Sequence, residues 1–126
     1  MRSRFQDIVE NGLPYIVAVE GDTIAGYCYA SPYRARPAYQ YTLENTVYVA
    51  SWARRRGVGL TLLNNLIARV SDGPWHQLVA VIGGSEHTVS IRLHEQAGFR
   101  QVGVLQQVGF KFGDWVDSVL MQRQID

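Results

Sequence analysis

Residues 52–63, WARRRGVGLTLL, put three consecutive arginines before two glycines and then begin an apolar run at helical spacing. Such a segment can be a solvated basic patch, a grip on nucleic acid, or one wall of a phosphate pocket. What flanks it decides between these, and decides the fold as well. Upstream, YTLENTVYVA (41–50) is rich in β-branched and aromatic residues and reads as a strand. Its alternation puts Thr42, Glu44, Thr46 and Tyr48 on one face and Leu43, Asn45, Val47 and Val49 on the other. Downstream, LTLLNNLIARV (60–70) has apolar residues at 60, 62, 63, 66, 67 and 70, a helical pattern that Asp72-Gly73-Pro74 ends. The short apolar run LVAVI (78–82) then has the pattern of a strand covered on both faces. The unit is β-α-β, with the helix crossing between parallel strands.

Working outward, RSRFQDIVENG reads as the end of a helix closed by Asn11-Gly12. YIVAVE (15–20) and TIAGYCYAS (23–31) are antiparallel partners about Gly21-Asp22. The segment PYRARPAYQ (32–40) carries two prolines, each of which removes a ladder donor, so it reads as a loop. On the other side, Ser85 to Ala97 reads as a second helix with Val89, Leu93 and Ala97 stacked at i, i+4 and i+8, and Gly98 as its stop. The tail, FRQVGVLQQVGFKF and WVDSVLMQRQI, reads as a long hairpin around Gly113-Asp114. The fold class is α/β with a mixed sheet, antiparallel hairpins flanking the parallel step. No linker, repeat or low-complexity tract divides residues 1–126, so one domain is expected.

The bulk properties narrow the function. A chain of 126 residues with 47% hydrophobic content can bury a real core. A formal charge of +1 argues against nucleic acid as the partner, which needs a strongly basic face. No apolar run approaches the roughly 18 residues of a membrane span, and no leader pattern opens the chain, so a cytoplasmic home and no membrane partner are expected. Cys28 is the only cysteine, which excludes an intrachain disulfide and a cysteine-built metal site. In AGYCYA it reads as a small buried hydrophobe. No metal site is expected.

The junction itself is suited to an anion. The first turn of a helix has unpaired amide hydrogens and a partial positive charge, glycines allow close approach, and arginines add charge-assisted hydrogen bonds. GxxxxGK[ST] is absent, and GxGxxG fails because Leu62 occupies the third glycine's place. The match is to [RQ]xxGxG, the acyl-CoA loop of the GNAT superfamily of N-acetyltransferases. The resemblance extends through YRARPAYQYTLENTVYV (33–49), RRRGVGLTLL, AVIGGSEHTVSIRLHEQAGF (80–99) and VGFKFGDWVDSVLMQR (108–123). In this order and spacing the sequence resembles the phosphinothricin and methionine-sulfoximine N-acetyltransferase branch of that superfamily.

The resemblance implies a GNAT fold with a central parallel β-α-β acyl-CoA step, acetyl-CoA as cosubstrate, a small amino-acid amine as acceptor, and a homodimer. Amine acetylation needs a base, and the glutamate of the branch's T-x-E motif is here Glu44. A proton donor to the leaving thiolate would be His94 in LHEQAGF, where the superfamily often has tyrosine; the alternative is a helix histidine bonded to a nearby carbonyl. The implied cofactor set is Val47 and Val49 on the strand, Arg54, Arg55, Arg56, Gly57, Val58 and Gly59 in the loop, and His87 and Ser90 on the second helix. Arg34, Arg36, Tyr39 and Tyr41 would hold the acceptor, with Phe110, Lys111 and Trp115 as weaker candidates. His76 reads as surface.

Two departures stand out. His87 occupies a position where the family has asparagine. The family's opening strand and first helix have no counterpart ahead of residue 13, so the resemblance reads as one to an N-terminally truncated form. That leaves a second reading, an acyl-CoA-binding module with little turnover.

Overall fold

A computed structural model describes residues 4–10, 12–84 and 87–126. Helix α1 (Arg4–Glu10) precedes a hairpin of β1 (Tyr15–Glu20) and β2 (Thr23–Pro32), and β3 (Thr42–Val49) pairs antiparallel with β2. Then follow α2 (Val58–Ser71), β4 (Gln77–Gly83), α3 (His87–Gln96), β5 (Arg100–Lys111) and β6 (Asp114–Gln124). The strands form one sheet in the order β1-β2-β3-β4-β6-β5. Only β3 and β4 run parallel. The mixed sheet with a central β-α-β step is therefore as the sequence reads.

That parallel pair is short. It joins Thr42 to Gln77, Leu43 to Leu78 and Glu44 to Val79, and goes no further. β3 continues to Val49 and β4 to Gly83, so the two strands part beyond Glu44 and leave a wedge between them.

One face of the sheet is closed by α2. Its apolar stripe buries Leu62, Leu63, Leu66, Ile67 and Val70 in one cluster with Cys28, Ala30, Leu43, Leu78 and Ala80. Each such leucine contributes about 1.5–3 kcal/mol when taken from water. Leu60, on the same stripe, is only half-buried. The approach is close enough that a methyl on Gly26 would lie 2.5 Å from the Tyr48 carbonyl oxygen and 3.2 Å from Leu62. Cys28 is fully buried here, and burial pushes its thiol up to about 12, so it packs rather than reacts. On the opposite face Tyr15, Tyr27, Tyr29 and Tyr48 form a row of stacked rings with centroids 5.1–6.2 Å apart. Phe5 of α1 sits edge-on to Tyr15.

Three readings of the sequence are corrected. β4 is not covered on both faces: Leu78, Ala80 and Ile82 are buried, Val79 is intermediate and Val81 is exposed. The Val89-Leu93-Ala97 stack is buried only in part: Val89 is 67% exposed, Leu93 is half-buried against the core, and Ala97, just past the end of α3, is buried. Residues at i, i+4 and i+8 drift around a helix of 3.6 residues per turn, and the deeply buried side chain of α3 is His94. The hairpin turns at Phe112-Gly113, both at positive φ, the two-residue geometry that matches strand twist; Asp114 already pairs with Lys111. Asn11 and Ser85, read as a helix stop and a helix start, lie outside the described residues. Among the described residues no helix is long and apolar enough to cross a membrane, and no cluster of His, Cys, Asp or Glu could hold a metal ion.

Candidate functional site

The alternation of β3 sends successive side chains to opposite sides of the sheet, and the vertex falls between two of them, Glu44 and Asn45. Glu44 opens into a cavity of about 310 Å3, lined also by Asp7 and Ile8 of α1, Tyr29, Ser31 and Pro32 of β2, and Thr46. Partial burial raises the Glu44 carboxyl above its ordinary value, and the charge of Arg34 draws it partly back. A carboxylate so placed accepts a proton more readily than one in water.

Arg34 stands on the loop after β2, which runs as far as Pro32. Its guanidinium lies 4.9 Å from the centre of the Tyr33 ring and donates to the Tyr33 hydroxyl at 3.4 Å. Tyr39, in a single 3-10 turn at Pro37–Tyr39, meets Tyr33 edge-on at 6.2 Å. Tyr33, Arg34 and Tyr39 thus form one aromatic and cationic group, and its charge reaches Glu44. Arg36 and Tyr41 are exposed, and the described contacts do not join them to it. Tyr41 serves the fold through its carbonyl, which accepts from the amides of His76 at 2.8 Å and Gln77 at 3.3 Å. His76 is at the surface as read, 2.6 Å from Asp126. Of the weaker candidates, Phe110 and Trp115 face each other on the exposed hairpin at 4.9 Å. The Lys111 ammonium would lie 3.4 Å from a methyl on Gly84, at the end of β4.

Beyond β3 the chain turns through Arg54–Gly57 into α2. Gly57 caps that helix at φ 78°, a left-handed conformation that glycine adopts without strain. Having no side chain, it leaves the first-turn amides to an outside acceptor, and no acidic residue occupies that turn. Gly59 is buried for a different reason. A methyl there would meet Leu93 of α3 at 3.2 Å and Val49 at 3.3 Å, so this glycine lets α2, α3 and β3 converge at the wedge. Val47, Val49 and Val58 are half-buried around the same convergence. The three arginines are not equivalent. Arg56 donates to both carboxylate oxygens of Glu20 at 3.2 and 2.9 Å, which ties it back to the end of β1. Arg54 and Arg55 are exposed at the loop.

On the helix side of the vertex, Asn45 and His94 are the buried polar residues, 6% and 3% exposed. The His94 Nδ1 lies 2.7 Å from the Ser90 carbonyl oxygen, which can only accept, so Nδ1 carries the proton. Burial lowers the His94 pKa, more than the Ser90 hydrogen bond offsets. In the neutral ring Nε2 is then an acceptor, and Asn45 Nδ2 donates to it at 3.0 Å. The single N–H of His94 is directed at the Ser90 carbonyl of α3. Ser90 acts here through its carbonyl, with its hydroxyl 3.5 Å from Nδ1. The side chain of His87 lies outside the described residues. Asn45 was absent from the sequence-derived site, although one signal pointed to it: an amide on a strand face otherwise made of leucine and valine.

Comparison with known proteins fits this geometry. The model of the acetyltransferase (GNAT) family matches residues 1–99. The chain is 52% identical over all 126 residues to phosphinothricin N-acetyltransferase of Alcaligenes faecalis, and spans 64% of that protein's length. It is 37% identical over 115 residues to the L-methionine sulfoximine/L-methionine sulfone acetyltransferase of Salmonella typhimurium, covering 91% of this chain and 67% of that one. A crystal structure of the Sinorhizobium meliloti phosphinothricin acetyltransferase in complex with AcCoA superposes with a TM-score of 0.92 at 41% identity, over 97% of this chain and 66% of that one. The family match takes in the vertex, the glycine-capped start of α2 and the whole of α3, and the chain belongs to the acetyltransferase (GNAT) family.

Proposed function

We propose that residues 1–126 act as an N-acetyltransferase domain, moving the acetyl group of acetyl-CoA to the α-amino group of a small amino acid of the phosphinothricin or methionine-sulfoximine kind. One observation carries the reading: at the vertex, adjacent residues of β3 serve opposite sides, with Glu44 in an open cavity and the wedge leading to the start of α2. Family membership and the activities of the named relatives support it.

In this mechanism the first-turn amides of α2 and the loop arginines hold the pyrophosphate, and the thioester arm enters between β3 and β4. The acceptor's ammonium gives one proton to Glu44. The freed amine attacks the thioester carbonyl carbon, so that a C–N bond forms. As the C–S bond breaks, the nitrogen's second proton leaves with the thiolate, giving amide and thiol. Arg34 is placed to hold an anionic group of the acceptor while limiting the rise in the Glu44 pKa. The exposed Val108, Phe110, Phe112 and Trp115 of the hairpin support a homodimer in the same reading.

The test is thiol release from acetyl-CoA with phosphinothricin, methionine sulfoximine and methionine sulfone as acceptors, run beside calorimetric titration with acetyl-CoA. Turnover with these amino acids and not with simple alkylamines is the expected result. Binding of acetyl-CoA with no turnover would replace the enzyme with a binding module.

A further inference from the structure

Arg34 and Arg36 share one exposed loop, and the fold treats them differently. The Arg34 guanidinium is held by its own neighbour. It lies over the Tyr33 ring, 4.9 Å from its centre, and donates to the Tyr33 hydroxyl at 3.4 Å. The described side-chain contacts give Arg36 no such hold. Neither contact would fix Arg34 if Tyr33 were itself loose. The Tyr33 amide, however, donates to the Thr42 carbonyl at 3.2 Å, which adds one bond to the β2–β3 ladder beyond the Pro32–Leu43 pair. Its ring is half-buried and is met edge-on by Tyr39 at 6.2 Å. Tyr33 is thus tied to the sheet, and Arg34 is the first residue beyond that tie.

The tie matters because of where it ends. Glu44 follows Thr42 on the same face of β3, pairs with Ser31, and opens into the cavity. The titratable groups lining that cavity with it are Asp7 of α1 and Tyr29 of β2, while β4 sets Val79 beside it. Burial raises the Glu44 carboxyl and the Arg34 charge draws it partly back, so the cation and the carboxyl lie within each other's field. Arginine loses much side-chain freedom when it is fixed, and a ring tied to the sheet that presents the guanidinium meets part of that cost before a ligand arrives. We propose that Tyr33 is a positioning residue of the acceptor site, holding the Arg34 guanidinium toward the Glu44 cavity to receive the anionic group of an amino-acid acceptor. The inference rests on the acetyl-transfer reading above and adds to it the residue that selects Arg34 over Arg36 and makes the site prefer an anionic acceptor.

The experiment has one arm that needs no turnover. The side-chain carboxyl carbon of Glu44, assigned by its absence from Glu44→Gln, is titrated by carbon NMR in the unaltered chain, Arg34→Ala, Tyr33→Phe and Tyr33→Leu. Arg34→Ala should move the Glu44 titration to higher pH, because the charge that draws it down is gone. Tyr33→Leu should reproduce most of that shift, and Tyr33→Phe, which keeps the ring and loses the hydroxyl, should fall between. In the second arm KM is measured for methionine sulfone and for its carboxamide, which lacks the carboxylate charge. Tyr33→Leu should raise KM about fivefold for the first and less than about twofold for the second. A Glu44 titration that responds to Arg34→Ala and to neither Tyr33 variant overturns the assignment, as does one that does not respond to Arg34→Ala. An equal rise in KM for both acceptors also overturns it, being the mark of a merely structural residue. If Tyr33→Leu loses its circular dichroism signal, Tyr33→Phe decides: a Glu44 shift supports the hold, and no shift overturns it. Glu44 shifts as expected in a chain that acetylates no amino acid keep Tyr33 as the holder of Arg34 and overturn the proposed enzyme.

Discussion

The two faces of β3 are built by opposite means. On the helix side, Leu43 and Asn45 are buried, Val47 and Val49 are half-buried, and the convergence with α2 and α3 is tight enough that Gly59 cannot carry a methyl without displacing Leu93 or Val49. On the cavity side, Glu44 and Thr46 line an open space, Tyr48 is half in solvent, and the nearby cation stands on an exposed loop. A single strand therefore joins a tightly packed face to a loosely walled cavity. Changes on the first face should act on stability, and changes on the second on turnover.

The largest expected effect tests the open face. Glu44→Gln should lower kcat by about 10²–10⁴-fold, the usual yield of a positioned base. Its dissociation constant for acetyl-CoA should move by less than about twofold, and its melting temperature should not fall, since the substitution removes a partly buried charge. Unchanged turnover would remove Glu44 from the chemistry. The packed face answers with Leu66→Ala. Leu66 is fully buried in α2, and its truncation should cost about 2–5 kcal/mol in denaturant unfolding, while kcat per folded molecule stays near its original value. Were Leu66→Ala to lower kcat as strongly as Glu44→Gln does, the two faces would not be separable.

Arg34→Ala sharpens the contrast at a smaller scale. Loss of one charge-assisted contact to the acceptor should raise its KM about tenfold, with stability within about 0.5 kcal/mol because the side chain is exposed. Arg34→Lys should recover part of the loss, since lysine keeps the charge but lacks the planar fork.

The same division explains what the sequence disclosed. The β-α-β unit was legible because packed faces impose periodicity: the alternation of 42–49 and the stripe at 62, 63, 66, 67 and 70 are direct records of burial. Gly57 and Gly59 were legible as a pair, but not their separate reasons, since a left-handed cap and a close helix contact leave the same letter. β4 misled because valine at 79 and 81 looks like a strand buried on both sides, whereas its second face is half-open. α3 misled because His94, not an aliphatic residue, is its most deeply buried member, held there by Asn45 across 49 positions of sequence. Nor could the sequence say that Arg56 is tied to Glu20, an ion pair between residues 36 apart. Pairings at that range leave no local pattern.

The smallest effect is also the most direct comparison, because the titratable groups flanking the vertex are shifted in opposite directions. The Glu44 pKa is raised by burial, so the folded chain holds that proton more tightly than the unfolded one. Its contribution to stability is present below the carboxyl's ordinary value near 4.5 and is lost as pH rises through the folded pKa. The His94 pKa is lowered by burial, so the folded chain keeps the ring neutral while the unfolded chain takes up a proton near 6.5. Its contribution is present above that value and is lost as pH falls toward the folded pKa. Melting temperatures of the unaltered chain, Glu44→Gln and His94→Gln between about pH 4 and 8 separate the two. The difference from Glu44→Gln should move against the unaltered chain as pH rises from the acid end, by no more than about 1–3 °C, because solvent reaches that carboxyl. The difference from His94→Gln should move in its favour up to about pH 6.5 and then level. Slopes of the same sign would mean that Glu44 and His94 share one environment, and the contrast between the open and packed faces of β3 would fail.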